Sequence, residues 1–225
     1  MNRRQKETFI LNVEGEVCEK LYFEHLRDLI NQEEKRKKEC VLIIKVKESP
    51  VNVVRNNSQI RNQFFHIQDV EDYSEDQQKE KFHKLINDVV QANQQAKSNK
   101  SPGYKLGYTN FSFDLWICLH KGDMNFSVQH RKKYITYINR YYNTSYQFID
   151  EYKNQSEFSK ILSNIRLEDV KNAIRRGKMI RNNNDTNNSV SANQKKIQYR
   201  TYTFYSENPD LDLFEVVEII MNKCL

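Results

Sequence analysis

Phe9-Ile10-Leu11-Asn12-Val13 is a short apolar run that stops at Glu14-Gly15, and Phe64-Phe65-His66-Ile67 is a second that stops at Asp69-Val70-Glu71-Asp72. Runs of this length and composition, closed by polar residues, read as buried strands of an α/β sheet. Ligands of such sheets bind in the crevice outside the carboxyl ends of the strands. Carboxylates converging there repel one another strongly at low dielectric. A hard divalent cation such as Mg²⁺ removes that cost and prefers oxygen ligands. The pattern therefore points to a metal-dependent site for phosphate chemistry, with Mg²⁺ or Mn²⁺ as the expected ion.

The rest of the chain extends this reading. Thr8–Val13 is the expected first strand, followed by a helix from Glu16 to about Lys38 with Leu21, Phe23, Leu26, Leu29 and Ile30 as its apolar stripe. Cys40–Lys47 is a second strand, rich in β-branched residues. Ser49-Pro50 breaks it, Val51–Asn62 suits a short helix, and Phe64–Ile67 is the third strand. Ser74–Ala96 reads as a long helix opened by a Ser74/Gln77 capping box. Lys97–Gly103 is a polar loop, Lys105–Thr109 a short strand, and Phe111 to about Leu119 a helix. Val128–Tyr142 and Glu157–Arg176 are further helices. Arg181–Gln194, with six asparagines, is expected to be a mobile loop. Ile197–Tyr205 has an extended alternation or is a loop, and Asn208-Pro209-Asp210 opens a final helix burying Leu213, Phe214, Val217, Ile220 and Met221. The β-α-β-α-β order predicts an α/β fold with a mainly parallel sheet flanked by helices and a helical C-terminal elaboration. A single domain over residues 1–225 is expected, its core at about 7–125 and its helical part at about 126–225.

Composition narrows the function. The net charge of +6 and pI near 9.0 favour a polyanionic partner, and the excess is clustered. Lys35–Lys38, Arg131–Lys133, Arg175–Lys178 with Arg181, and Lys195-Lys196 are basic runs that hold phosphate backbones or form solvated faces. No apolar run approaches the roughly 18 residues of a membrane span, and the N-terminus leads straight into a strand, so a cytoplasmic protein without membrane contact is expected. Cys18, Cys40, Cys118 and Cys224 form no CxxC pair and read as free core thiols. With five glycines and no Walker loop, the chain needs a partner for any ATP dependence. The histidines form no zinc-spaced set.

Individual residues carry more than one reading. Asp69 and Glu71 alternate along an extended segment, which puts their side chains on one side; with Glu14 and Asp72 they are the candidate metal ligands. Asp72 equally suits a helix cap. A carboxylate at Glu14, between strand and helix, also suits the helix dipole, and Gly15 suits a tight turn or a close approach of phosphate. Glu16 reads as a first-turn carboxylate. Asp114 and His120, near two helical turns apart, are candidate catalytic residues, His120 for phosphate orientation, proton transfer or a structural hydrogen bond. Trp116 reads as core. Lys121, Arg131, Lys132, Lys133, Arg175, Arg176 and Lys178 are candidate nucleic-acid contacts, each also readable as surface charge.

A strand ending in Glu14-Gly15 and a later one ending in Asp69-x-Glu71 resemble the Toprim domain of topoisomerases, primases and OLD-type nucleases. Two further segments sharpen the likeness. Asn110-Phe111-Ser112-Phe113-Asp114-Leu115-Trp116-Ile117-Cys118-Leu119-His120 resembles the Asn-Pro-x-Phe-Glu-Leu-Trp-Leu-Leu-Leu-His segment of RloB-like proteins. Asn208-Pro209 with its acidic apolar helix resembles their C-terminal Asn-Pro-Ser-Thr helix, and Glu14-Gly15-Glu16 with Tyr22-Phe23 their opening. The likeness covers nearly the whole chain in order. Glu71 stands where the family has Asp, Asp114 where it has Glu, and Phe111 where it has Pro. The first two keep a carboxylate with altered reach; the third loses a rigid turn.

RloB-like and AbiL-type proteins are small Toprim proteins encoded beside an ABC/AAA-type ATPase in anti-phage loci. The resemblance implies a Mg²⁺- or Mn²⁺-dependent nuclease effector of abortive infection that cleaves DNA or RNA, tRNA included, under control of that ATPase. It makes Glu14 the acid/base residue, with Asp69 and Glu71 central. The partner is expected to dock on the helix Leu211–Asn222 and on the basic helix around Arg175–Arg181. A homodimer is compatible with the sequence. The Asp-x-Glu departure keeps open a catalytically silent subunit that regulates the ATPase, and basic charge alone would suit a plain nucleic-acid-binding module.

Overall fold

A computed structural model gives the fold, with residues 5–57, 62–186, 188–189 and 191–225 described. Four parallel strands, β1 (Lys6–Val13), β2 (Glu39–Val46), β3 (Gln63–Asp69) and β4 (Gly103–Asn110), form the sheet in the order β2-β1-β3-β4. Val13 lies opposite Val46 and Ile67, and Asp69 opposite Thr109. Between the strands run α1 (Cys18–Gln32), α2 (Pro50–Asn56) and α3 (Asp76–Ser98). Then come α4 (Asp114–Lys121), α5 (Tyr134–Tyr142), α6 (Ile149–Tyr152), α7 (Gln155–Ser163) and α8 (Leu167–Asp185). A hairpin of β5 (Lys196–Tyr199) and β6 (Tyr202–Tyr205), an edge strand β7 (Asp210–Leu211) and α9 (Leu213–Cys224) complete the chain. This is the α/β architecture expected, a mainly parallel sheet with a helical C-terminal elaboration.

Both faces of the sheet are covered, which is why β1 and β3 are apolar almost without interruption. Phe9, Leu11 and Val13 of β1 and Phe65 and Ile67 of β3 point into a core shared with α1, α4, α5, α8 and α9. Ile10 and Phe64 point the other way, toward α2, α3 and Phe204 of the hairpin. α9 reaches β4 because Gly107 has no side chain: a Cβ there would lie 2.7 Å from a Val216 methyl and 3.3 Å from Leu213 Cα. The peptide bonds Asn110–Phe111 and Asn208–Pro209 are cis.

Several local expectations change. The long helix opens at Asp76 with no side-chain cap, because Ser74 Oγ donates to Asp72 Oδ1 (2.6 Å) and does not reach into the helix. His130 Nδ1 accepts from the Lys132 amide, so Arg131–Lys133 is a 3₁₀ turn and α5 begins only at Tyr134. Glu157–Arg176 is two helices: Arg166 is extended and Asp169 reaches back to its amide (2.8 Å), starting α8 afresh. Arg181–Asp185 stay helical, held by the Arg181 and Asn184 side chains, so the expected loop loses its first third; Asn187 and Val190 lie outside the described residues. Ile197–Tyr205 is a hairpin turning at Arg200, whose φ is 56°. The last helix starts at Leu213, because Asp210 and Leu211 first pair antiparallel with Asn110 and Thr109. The helix expected over Val51–Asn62 ends at Asn56, with residues 58–61 outside the described residues.

Among the described residues no helix is long and apolar enough to cross a membrane. Cys40, Cys118 and Cys224 are buried free thiols and Cys18 is half-buried.

Candidate functional site

The chain leaves β1 toward β2 on one side and returns to β3 on the other, so the strand order reverses between β1 and β3. A crevice opens at such a point beyond the carboxyl ends. Glu14 follows β1 and Asp69 ends β3, which brings both to this crevice. One Glu14 oxygen accepts from the Asp69 amide (3.3 Å) and from Gln68 Nε2; the other accepts from Lys81 Nζ of α3 (3.1 Å). Asp69 Oδ1 accepts from Thr109 Oγ1 on β4 (2.9 Å). Asp114 opens α4, is almost wholly buried, and accepts from Ser112 Oγ (2.7 Å) and from Lys153 Nζ (2.9 Å). Glu19, in the first turn of α1, is buried over Gly15, where an added Cβ would overlap its carboxylate.

These groups feel one another. Burial, then the charges of Glu19 and Glu14, holds the Asp69 carboxyl well above the usual carboxylate range. Burial pushes Glu19 up to about 7, with Asp114 and Glu14 adding to it. Burial works against the Lys153 ammonium, but the charge and hydrogen bond of Asp114 outweigh it and hold the lysine firmly protonated. Lys81 is likewise held protonated by Glu14 against its own partial burial.

Glu14 and Asp69 thus come together, Asp114 touches them only through its charge on Asp69, and the others do not join them. Glu71 lies beyond the strand end with φ 57°, which cancels the alternation with Asp69, and it pairs with Arg131 (3.3 Å). Asp72 accepts from the amide and hydroxyl of Ser74. Glu16 pairs with Lys47 at the surface (2.9 Å). His120 is buried between Tyr22 and Trp116; Tyr22 Oη lies 3.2 Å from its Nε2 and the Trp116 carbonyl 2.8 Å from its Nδ1. Lys121 pairs with Asp169 (2.8 Å) and Lys178 with Glu218. Arg176 turns inward to the carbonyls of Leu119 and His120 at the end of α4. Lys132, Lys133 and Arg175 are exposed.

Sequence reasoning missed Glu19, Gln68, Lys81 and Lys153. The first had a signal in Gly15, one helical turn before it. Lys153 had none, since only the helical part of the chain brings it to Asp114.

Two clefts flank the crevice. One of about 180 Å³ runs between Asp69 and the α3 side chains Lys81, Lys84 and Asp88. The other, about 210 Å³, is walled by Glu71, Asp72, Glu75, Phe111, His130 and Arg131, and Gln78 borders both. In kind, the carboxylate oxygens of Glu14, Glu19, Asp69 and Asp114 suit a hard divalent cation. Among the described residues, however, no three His, Cys, Asp or Glu side chains are gathered as a ligand set; the positive charge at the crevice is that of Lys153 and Lys81.

The residues that carry the sequence resemblance outside the crevice have structural work. Asn208 pairs its side chain with both backbone groups of Val128 (2.7 and 2.8 Å), and Asn110 donates to the carbonyls of Tyr205 and Ser206. No curated protein and no solved structure matches the chain. The family model described as RloB-like protein matches residues 9–219. With that match running from the first strand to the last helix, the chain belongs to the RloB-like protein family.

Proposed function

We propose that the chain is a nucleic-acid phosphodiesterase of anti-phage defence, with a Toprim-like centre at the β1–β3 switch point. Membership of the RloB-like family fits a defence-associated role. The observation that carries the reading is the hydrogen bond from the Asp69 amide to Glu14, which ties two carboxylate-bearing strand ends into one crevice. Mg²⁺ or Mn²⁺ held by Glu14 and Asp69 would polarise the scissile phosphate and acidify a bound water. Glu14, fixed on both oxygens, is the group placed to take or return a proton at the attacking or leaving oxygen. Lys81 and Lys84 beside the 180 Å³ cleft, with Lys132 and Lys133, would hold the backbone without reading sequence.

Control is assigned to an ABC/AAA-type ATPase, since this chain has no phosphate loop. Of the expected docking residues, Arg181 and Arg176 are turned inward; Arg175 and Lys178 remain, joined by Lys171, along a groove of about 500 Å³ floored by Ile174, Met221 and Leu225. The test is Glu14→Gln, which keeps shape and removes the proton acceptor. Divalent-dependent cleavage of nucleic acid by the purified protein is expected to vanish while the circular dichroism stays native; undiminished cleavage refutes the reading. The Glu71–Arg131 pair favours one alternative, a catalytically silent subunit of the ATPase complex. Absence of Mn²⁺ binding in a calorimetric titration would support it.

A further inference from the structure

Glu14 is held unequally on its two oxygens. Oε2 accepts from two donors of β3, the Asp69 amide (3.3 Å) and Gln68 Nε2. Gln68 Nε2 also donates to the Asp69 carbonyl (3.2 Å), so both protons of its amide are placed, and its Oε1 faces His66 Nε2 (3.4 Å). Asn12 stands behind His66 (3.1 Å) and is tied to both backbone groups of Glu48, just past β2. Asn12, His66 and Gln68 are all buried. A satisfied polar chain in the interior fixes one arrangement, because breaking any link strands a buried donor or acceptor. Oε1 is different. It accepts from Lys81 Nζ (3.1 Å), and among the described residues no other hydrogen bond reaches it. The Lys81 side chain is 55% exposed and lines the 180 Å³ cleft. An ion pair so exposed is weak and easily exchanged.

We infer that Gln68, backed by His66 and Asn12, is the positioning residue of Glu14, and that Oε1 is the oxygen presented to the reacting atoms. The inference rests on the phosphodiesterase reading above. A carboxylate on an unsupported side chain rotates about its last bond; here Oε2 is bound to the sheet, so the direction of Oε1 is set before substrate arrives. A phosphate entering the cleft draws the Lys81 ammonium toward itself and uncovers Oε1 without releasing Oε2. The proton acceptor is then already aligned, which is the condition for efficient transfer.

The experiment joins a spectrum to kinetics on the full chain. In a ¹H–¹⁵N spectrum one Gln68 side-chain proton should lie downfield, as a hydrogen bond to an ionised carboxylate requires. Glu14→Gln should move it upfield, and Lys81→Met, which touches the other oxygen, should leave it in place. Cleavage is followed on short fluorescent RNA and DNA strands with Mn²⁺. Gln68→Leu is expected to lower kcat about 10²-fold with KM within about twofold of wild type. Because Gln68→Leu strands the His66 donor and could unfold, Gln68→Asn, whose amide falls one methylene short of Glu14, asks the same question and should also lose kcat. A Gln68 signal that ignores Glu14→Gln, a Gln68→Asn protein with wild-type kcat, or a loss confined to KM overturns the inference and leaves the phosphodiesterase reading standing. No cleavage of any strand by wild type overturns both.

Discussion

The Glu19 carboxylate lies in the space that a Cβ on Gly15 would fill. Gly15 has no left-handed φ, so its role is this close approach and not a turn that only glycine can make. The overlapping atoms belong to the far end of a flexible side chain, which can swing aside at little cost. Gly15→Ala is therefore expected to change stability by no more than about 1 kcal/mol, the unfolded-state gain of alanine offsetting the displaced contact. Glu19 should leave its buried seat. A ¹³C titration is expected to show a Glu19 carboxyl near 7 in wild type and near the ordinary 4.5 in the variant. A Glu19 that still titrates near 7 in Gly15→Ala would show that the glycine does not hold it.

The strands and most helices were legible in the sequence because burial on both sheet faces leaves long apolar runs at β1, β2 and β3. Glu14 and Asp69 were legible for the same reason: they are the first charges after such runs. What the pattern could not carry was tertiary. Glu71 looks like the partner of Asp69 two residues on, yet a single positive φ turns it to Arg131. His120 has the chemistry of a catalyst and the surroundings of a core residue. Lys153 gives no local signal at all, since its role depends on how the α6–α7 junction packs on α1.

A directed chain of hydrogen bonds leads to Glu14. Asn12 Oδ1 accepts from the Glu48 amide (3.2 Å), so its Nδ2 donates to the Glu48 carbonyl and to His66 Nδ1 (3.1 Å). His66 must then carry its proton on Nε2, which faces Gln68 Oε1 (3.4 Å), and Gln68 is left with its amide pointing at Glu14. A ¹⁵N spectrum is expected to report the Nε2–H tautomer for His66. His66→Phe leaves buried donors and acceptors unmatched at Asn12 and Gln68 and should cost about 1–3 kcal/mol in urea unfolding. Observation of the Nδ1–H form would reverse the direction of the chain.

The buried histidines and the buried carboxyls pull the pH dependence of stability in opposite directions. Burial lowers both His66 and His120 to about 4, against 6.5 for a free ring. Between those values the unfolded chain binds more protons than the folded one, so the stabilising contribution is whole above about 6.5 and is lost as pH falls toward 4. Glu19, raised to about 7, has the opposite sign: its contribution is whole below 4.5 and is lost as pH rises to 7. Asp69, Asp210 and Asp212, whose carboxyls burial also raises, act in the same sense as Glu19, so the histidine contribution shows in single variants and not in the sign of the net slope. Urea unfolding at several pH values should show the change of stability from pH 7 to 4.5 shifted toward loss in Glu19→Gln and toward gain in His120→Phe, each relative to wild type. A His120→Phe change equal to that of wild type would mean that the ring is already protonated in the fold.

Arg181 was expected on a docking face, and the fold uses it as a half-buried joint. Its guanidinium donates to Tyr108 Oη (3.0 Å), Asp210 Oδ1 (2.9 Å), Asp212 Oδ1 and the Thr203 carbonyl (3.1 Å), joining α8 to β4, β6 and β7. The rings of Tyr108 and Tyr205 lie under it at 5.9 and 5.6 Å. Asp210 has no exposed surface, and burial raises its pKa in spite of the arginine, so the arginine is the main charge that keeps the aspartate tolerable. Removing one partner of such a pair strands the other, at a cost of about 3–5 kcal/mol. Arg181→Met should lose about that much in denaturant unfolding. Arg181→Lys should recover little, because a single ammonium cannot make the forked contacts to both aspartates. Adding Asp210→Asn to Arg181→Met should restore part of the loss, since the stranded charge goes with its partner. If the double variant is no more stable than Arg181→Met, packing of the guanidinium against the tyrosines, and not its charge, is what holds the edge strand to α8.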